Sequence, residues 1–267
     1  MNSCAFTGKV AVVTGSTGGI GRGVALRLAA GGAAVVINGR DPEKGATVVA
    51  EIQQAGGQAA FVAGDVLCRP DMDALAAQAA ERFGGIDIVV SNAGGRDEVG
   101  RSPQVRGPFD EIDLPRAAGW VADATLAKLL PVQSALPYLR RRGGGSVVFV
   151  TSEGGRVPTP GQTAVATWAG GLVMSTKVIA KELVRDRIRV NCVCVTLVRD
   201  TPGWHALQQP GVMSERHRKQ YEALQARAPF GLARPGDIGA VVAFLASDDA
   251  GYITGAALST TGGLTVS

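Results

Sequence analysis

Short apolar runs alternate with helix-length segments along the whole chain, and this alternation constrains the fold more than any other feature. The runs fall at 9–15, 33–39, 58–66, 86–94, 146–152, 187–195 and 255–260. Between them, helical patterns cover 19–32, 42–55, 71–83, 115–142, 163–185 and 236–247. The strand candidates are apolar throughout, which is the signature of a parallel sheet covered by helices on both faces. The expected fold class is therefore α/β, a single domain over 1–267 with a doubly wound, seven-stranded parallel sheet. A chain of 267 residues can bury one sizeable core. Asp41 and Pro42 fit the N-cap and first position of the second helix. Two stretches escape the alternation: 95–113, an irregular insertion, and 196–230, read as a loop-rich lid over a substrate.

Composition excludes several classes of function. Hydrophobic residues at 46% against 19% charged rule out a disordered chain. The net charge of +4 is too small and too scattered for a nucleic-acid partner. The densest basic spot, Arg140-Arg141-Arg142, precedes three glycines and reads as a helix carboxyl end, where cations suit the dipole. No segment is long and apolar enough for a membrane span, and the amino-terminal residues lack a signal pattern. Cys192 and Cys194 alternate on one strand, so both face the same side as buried thiols, and the four cysteines show no zinc spacing. A cytoplasmic protein is expected, with no metal, no nucleic acid and no membrane.

The first strand is joined to the first helix by Thr14-Gly-Ser-Thr-Gly-Gly-Ile-Gly21. Glycine alone is weak evidence, but here a strand precedes, a helix follows and a second strand comes soon after. Gly15 can take a turn conformation closed to other residues. Gly19 and Gly21 admit close backbone approach, and the helix amino terminus offers free amides to a pyrophosphate. With Asp65 in "GDV", "SNAG" at 91–94, "VVFVTS" at 147–152, "IRVN" at 188–191 and the ending "LASDDAGYITGAALSTTGG" at 245–263, the chain resembles the short-chain dehydrogenase/reductase family along nearly its whole length. The resemblance implies a Rossmann sheet, a nicotinamide cofactor and a homotetramer. It also implies cofactor contacts from Gly15, Ser16, Thr17, Gly19, Ile20 and Gly21, from Asn38, Asp65 and Val66, and from Asn92, Gly94, Thr196 and Thr201.

Gly39 stands where NAD-preferring members of the family carry Asp, and Arg40 follows. A guanidinium there clamps a 2′-phosphate with paired hydrogen bonds, and no carboxylate opposes it. NADP(H) is therefore the expected cofactor. The family's other basic position, inside the glycine motif, holds Gly18.

The family's Tyr-x-x-x-Lys pair falls here on Val165 and Ala169. Sliding the frame does not restore it: no Tyr lies between Tyr138 and Tyr221, and no Lys between Lys128 and Lys177. The family's Asn on the preceding helix is also missing, its counterpart being Ala124 or Ala127, and Lys128 beside them is close enough in sequence to reach the site, although its ordinary reading is an exposed helix lysine. Ser152 remains at the end of the fifth strand. Glu153 beside it is the best candidate for a substitute acid, ahead of His205, Tyr138, Tyr221 and Tyr252. The expectation is an atypical NADP(H)-dependent oxidoreductase moving hydride to or from a small organic substrate without the usual proton relay. The alternatives are a catalytically silent NADP(H)-binding subunit, paired with itself or with an active homologue, or an NADP(H)-responsive regulator, and a non-redox cyclase or isomerase on the same scaffold.

Overall fold

The computed structural model describes residues 5–94, 102, 104–201, 204–205, 209 and 215–265. In chain order the elements are β1 (Val10–Val13), α1 (Gly19–Ala30), β2 (Ala34–Gly39), α2 (Pro42–Gln54), β3 (Gln58–Ala63), α3 (Arg69–Phe83), β4 (Ile88–Ser91), α4 (Leu114–Arg141), β5 (Gly145–Ser152), α5 (Thr163–Leu183), β6 (Ile188–Val195), α6 (Glu215–Ala226), α7 (Pro235–Ala246) and β7 (Ala257–Thr260). The seven strands form one sheet in the order β3-β2-β1-β4-β5-β6-β7, and every pairing is parallel.

The period of two along each strand divides the core into two layers. Ala11, Val13, Val35, Ile37, Val148 and Val193 face α1, α2 and α7. Val12, Val36, Val89, Phe149, Cys192 and Cys194 face α3, α4 and α5. The three described cysteines are free. The hydrogen bond with Cys192, followed by burial, pushes the Cys194 thiol far above its ordinary range, so it stays protonated. On the first layer, α1 and α7 meet at glycine. A Cβ on Gly23 would lie 2.5 Å from the Pro235 carbonyl carbon, and one on Gly239 would lie 2.7 Å from the Gly23 oxygen.

Asp41 caps α2 as expected, accepting from the Glu43 and Lys44 amides. The basic run at the end of α4 does more than complement a dipole. Arg142 pairs with the largely buried Asp87, which also accepts from the Val10 amide, and Arg140 pairs with Asp186. The expected loop over 196–230 needs correction, because Glu215–Ala226 is helical. Its sequence, ERHRKQYEALQA, has no apolar stripe to announce a helix and its described side chains are exposed. Most of 95–103 and 202–214 lies outside the described residues.

Candidate active site

All strands being parallel, their carboxyl ends share one edge of the sheet. The chain runs outward from β1 to β2 and β3, then returns to place β4 on the other side of β1. The strand order reverses between β1 and β4, which opens a crevice there and makes this edge the place to look for a ligand site.

The turn after β1 forms the floor of that crevice. Gly15 has φ +62°, and a Cβ on it would press to 2.9 Å from the Ala93 Cα. A Cβ on Gly21 would fall 2.2 Å from the Gly15 oxygen, so the first turn of α1 can lie against the glycine loop only without one. Gly18 caps α1 with no side-chain hydrogen bond, and its first turn carries no acidic residue. The leading amides are therefore unopposed, which suits a phosphate. Two hydrogen-bonded seams hold the floor. Thr14 Oγ1 accepts from the Asn92 and Ala93 amides at 3.1 and 3.2 Å, and Asn92 Nδ2 donates to the Thr14 and Gly15 carbonyls, both at 3.1 Å. Ser16 Oγ donates to the Val13 carbonyl and accepts from the Asn38 amide, while Asn38 Nδ2 reaches the Val62 and Gly64 carbonyls.

These seams correct two expectations. Ser16 and Asn38 are wholly buried and have no surface to offer a cofactor. Their hydrogen bonds tie the turn to β2 and β3, so they support the floor rather than touch a ligand. Thr17, Gly19, Ile20 and Gly94 keep exposed surface along the crevice, whereas Val66 is mostly buried in the second core layer. Asp65 is half-buried, with one carboxylate oxygen accepting from the Leu67 amide. Past the end of β2, Arg40 is exposed and makes no hydrogen bond or ion pair with any described residue. Its neighbour Asp41 is committed to the start of α2, where the Lys44 amide holds its carboxyl below the usual range. Thr17 fills the space above Gly39: a Cβ there would lie 2.6 Å from Thr17 Cγ2. Position 39 thus has no room for a carboxylate unless Thr17 moves.

On the far side of the crevice, β5 ends at Ser152, whose Oγ accepts from the Gly154 amide at 3.1 Å. A Cβ on Gly154 would sit between Ser152 Oγ and Val165 Cγ1, 3.4 and 3.3 Å away. The position expected to lack a tyrosine thus borders Gly154 from one side as Ser152 does from the other, with Val165 and Ala169 both fully buried. Trp120 of α4 and Trp168 of α5 meet edge to face, centroids 5.9 Å apart, and pack with Val105, Ala124, Ala164 and Val165. Neither indole N–H has a hydrogen-bond partner.

Glu153 does not serve the crevice. It is 2% exposed, and its Oε1 accepts from Ser259 Oγ on β7 at 2.8 Å, so its side chain reaches across β6. Arg156 donates to the same Ser259 and to the Ala257 carbonyl. The carboxylate anchors the turn after β5 to the sheet edge, which corrects its reading as a substitute acid. Tyr138 lies against Arg141 at the end of α4, and Tyr252 is fully exposed beside Lys9 and Asp87, both at the opposite edge of the sheet. His205 is exposed, and the Tyr221 side chain lies outside the described residues. Thr201 Oγ1 donates to the Val198 carbonyl and accepts from the Trp204 amide, and Thr196 is half-buried just past β6.

Lys128 is the residue that sequence reasoning misplaced. It is not exposed but 2% accessible, with its Nζ 2.6 Å from the Asn92 carbonyl oxygen and 3.4 Å from that of Ser91. It stands 6.0 Å from the Trp168 ring centroid, and Ser91 Oγ donates to the Lys128 backbone carbonyl. The signal was present in the sequence. Buried residues of α4 include Ala117, Trp120, Ala124, Lys128, Pro131, Ala135 and Leu139, spaced three or four apart, so the lysine stands inside the inward stripe.

Among the described residues, no group of three or more His, Cys, Asp or Glu could hold a metal ion, and no helix is long and apolar enough to cross a membrane.

Comparison with known proteins agrees with this geometry. The family model described as enoyl-(acyl carrier protein) reductase matches residues 15–265. Dehydrogenase/reductase SDR family member 4 of Homo sapiens is 35% identical over 260 residues, spanning 96% of this chain and 87% of that protein. Glucose 1-dehydrogenase of Gluconobacter oxydans is 30% identical over 98% of this chain and 93% of its own. A solved structure of 7α-hydroxysteroid dehydrogenase, complexed with NADH and 7-oxo glycochenodeoxycholic acid, superposes with a TM-score of 0.84 at 27% identity, covering 98% of this chain and 96% of that one. With a glycine-floored crevice at the strand reversal and a family match over nearly its full length, the chain belongs to the short-chain dehydrogenase/reductase family of oxidoreductases.

Proposed function

We propose that this protein is an NADP(H)-dependent oxidoreductase whose substrate needs no tyrosine–lysine proton relay. Bound along the crevice, the cofactor supplies a hydride. The α1 amides would hold its pyrophosphate, Arg40 its 2′-phosphate and Asp65 its adenine, while Asn92, Gly94, Thr196 and Thr201 would border the nicotinamide half. The exposed, uncommitted guanidinium of Arg40 supports NADP(H), together with Thr17 filling the space where a carboxylate at 39 would stand.

The observation that carries the reading of an altered chemistry is that Val165 and Ser152 both border Gly154, with Ala169 one turn further and equally buried. A general acid contributes on the order of 10²–10⁴ in rate, and an alkoxide formed from a plain ketone would find none at Val165. Substrates that are already activated, such as an iminium or a conjugated electron-poor acceptor, ask less of the protein. The cluster of Trp120, Val165 and Trp168 suits a small organic substrate with an apolar body. The same cluster favours a second reading, a silent NADP(H)-binding subunit whose reaction chamber is filled by its own side chains.

Single-turnover oxidation of NADPH against a panel of plain ketones, iminium ions and conjugated acceptors separates the two. Oxidation by activated acceptors alone is expected, and tight NADPH binding with no oxidation by any acceptor would favour the silent subunit. Assembly into a homo-oligomer, read here as a tetramer, is supported by exposed apolar residues: Met174 and Val178 on α5, Phe244 on α7 and Leu258 on β7. Light scattering checks it. The free thiols fit a reducing compartment, and we place the protein in the cytoplasm.

A further inference from the structure

We infer that Lys128 supplies the positive charge at the reacting end of the crevice and biases the protein towards holding reduced rather than oxidised cofactor. The inference rests on the reading of the crevice as an NADP(H) site. Its starting point is the position of the ammonium. The Lys128 Nζ sits on the carbonyls of Ser91 and Asn92, the last residue of β4 and the first beyond it. Arg40 and Asp65 follow β2 and β3 on one side of the strand reversal, whereas β4 and β5 lie on the other. Lys128 therefore belongs to the half of the crevice that contains Ser152 and Val165, away from the end recognised by Arg40.

Three features make the charge matter there. The side chain is almost wholly enclosed, so water screens it little. The Asn92 residue it grips by the carbonyl is the one whose side chain binds the Thr14 and Gly15 carbonyls, so the ammonium is tied to the glycine floor. Trp168 and the apolar cluster around Val165 wall the same space, and Ala169 brings no cation to it. The oxidised nicotinamide ring carries a positive charge and the reduced ring carries none. A fixed ammonium on that side opposes only the oxidised form, and in a poorly screened cleft one such charge shifts the balance by about tenfold. This asymmetry favours release of oxidised cofactor and fits a protein working as a reductase.

Equilibrium titrations test the inference without any turnover. Dissociation constants for NADPH, NADP⁺ and 2′,5′-ADP, which carries only the adenosine end, are measured on the wild type, Lys128→Gln, Lys128→Met and Lys128→Arg. Gln keeps donors for the two carbonyls and removes the charge. The expected result is a wild-type preference for NADPH over NADP⁺ of about tenfold, retained in Lys128→Arg and lost in Lys128→Gln, with 2′,5′-ADP affinity unchanged in both. A lysine that merely holds β4 against α4 would weaken NADPH and NADP⁺ equally. That outcome, or a preference that survives in Lys128→Gln, overturns the inference. If Lys128→Met does not fold, the Gln and Arg variants carry the comparison. Failure of the wild type to bind any of the three ligands overturns the cofactor reading itself, and the inference falls with it.

Discussion

The two halves of the crevice are built by opposite means. On the β2–β3 side, small residues and hydrogen bonds shape a polar floor: Gly15, Gly21, Thr14, Ser16 and Asn38 each have a defined place, and Arg40 projects from it uncommitted. On the β4–β5 side, two tryptophans and a valine fill the space, and one enclosed ammonium stands behind them. On the proposed reading, the site asks the usual things of its cofactor and something different of its substrate. The comparison teaches that the residues assigned to binding and the positions assigned to proton delivery lie on separate elements, so one set can be altered without the other.

The largest test of this contrast restores the missing chemistry. Val165→Tyr with Ala169→Lys should raise plain-ketone reduction by at least about 10²-fold, with either change alone giving far less, because the pair acts as a unit. An unassisted tyrosine would keep a pKa near its free value of about 10. Steady-state NADPH oxidation by wild type, both single variants and the double variant measures it. Equal effects of the single and double variants would mean that Val165 does not face the reacting centre.

On the floor, Gly21→Ala should weaken NADPH binding by about tenfold to a hundredfold, since its Cβ would meet the Gly15 oxygen at 2.2 Å and the overpacking costs about 1–3 kcal/mol. Fluorescence titration reads this, and unchanged affinity would show that the α1 terminus is not where the phosphates lie. Arg40→Ala should lower NADPH affinity about tenfold and leave NADH affinity as it was, in keeping with the loss of one charge-assisted pair. A parallel loss for both cofactors would dissolve the assignment of Arg40 to the 2′-phosphate. The smallest effect belongs to Glu153→Gln. It should cost about 1 kcal/mol of stability by turning a charge-assisted bond from Ser259 into a neutral one, and leave single-turnover rates intact, as thermal denaturation and stopped-flow together would show. Loss of turnover without loss of stability would return Glu153 to the chemistry.

Most of the fold and the position of the glycine turn after β1 could be read from the sequence, because both follow from local pattern. Apolar runs separated by helical periods define a parallel sheet, and a glycine motif between the first strand and helix defines its crevice. What escaped depends on contacts between elements far apart in sequence. Glu153 looked available because it neighbours Ser152, yet its carboxylate is held by a residue 106 positions away on β7. Ser16 and Asn38 carry polar side chains beside the motif, and only the sheet shows that the Ser16 hydroxyl is taken by the Val13 carbonyl and the Asn38 backbone amide, and the Asn38 Nδ2 by the Val62 and Gly64 carbonyls. Lys128 escapes for a different reason: a lysine on a helix is ordinarily a surface charge, and only its place in the stripe of buried positions on α4 marks it as inward.

The glycine contact between α1 and α7 bears on how this protein can change. Gly23 and Gly239 block each other: a methyl group on either would collide with the backbone of the opposite helix. No single substitution at one position opens space at the other, so a path through intermediates that each fold is closed at both. The helix presenting its amino terminus to the crevice is thereby held at a fixed height, whereas Val165, Ala169 and Trp168 on the opposite wall take no part in that contact. The rigidity of one helix pair can thus leave the reacting end of the site as the part of the molecule most free to diverge.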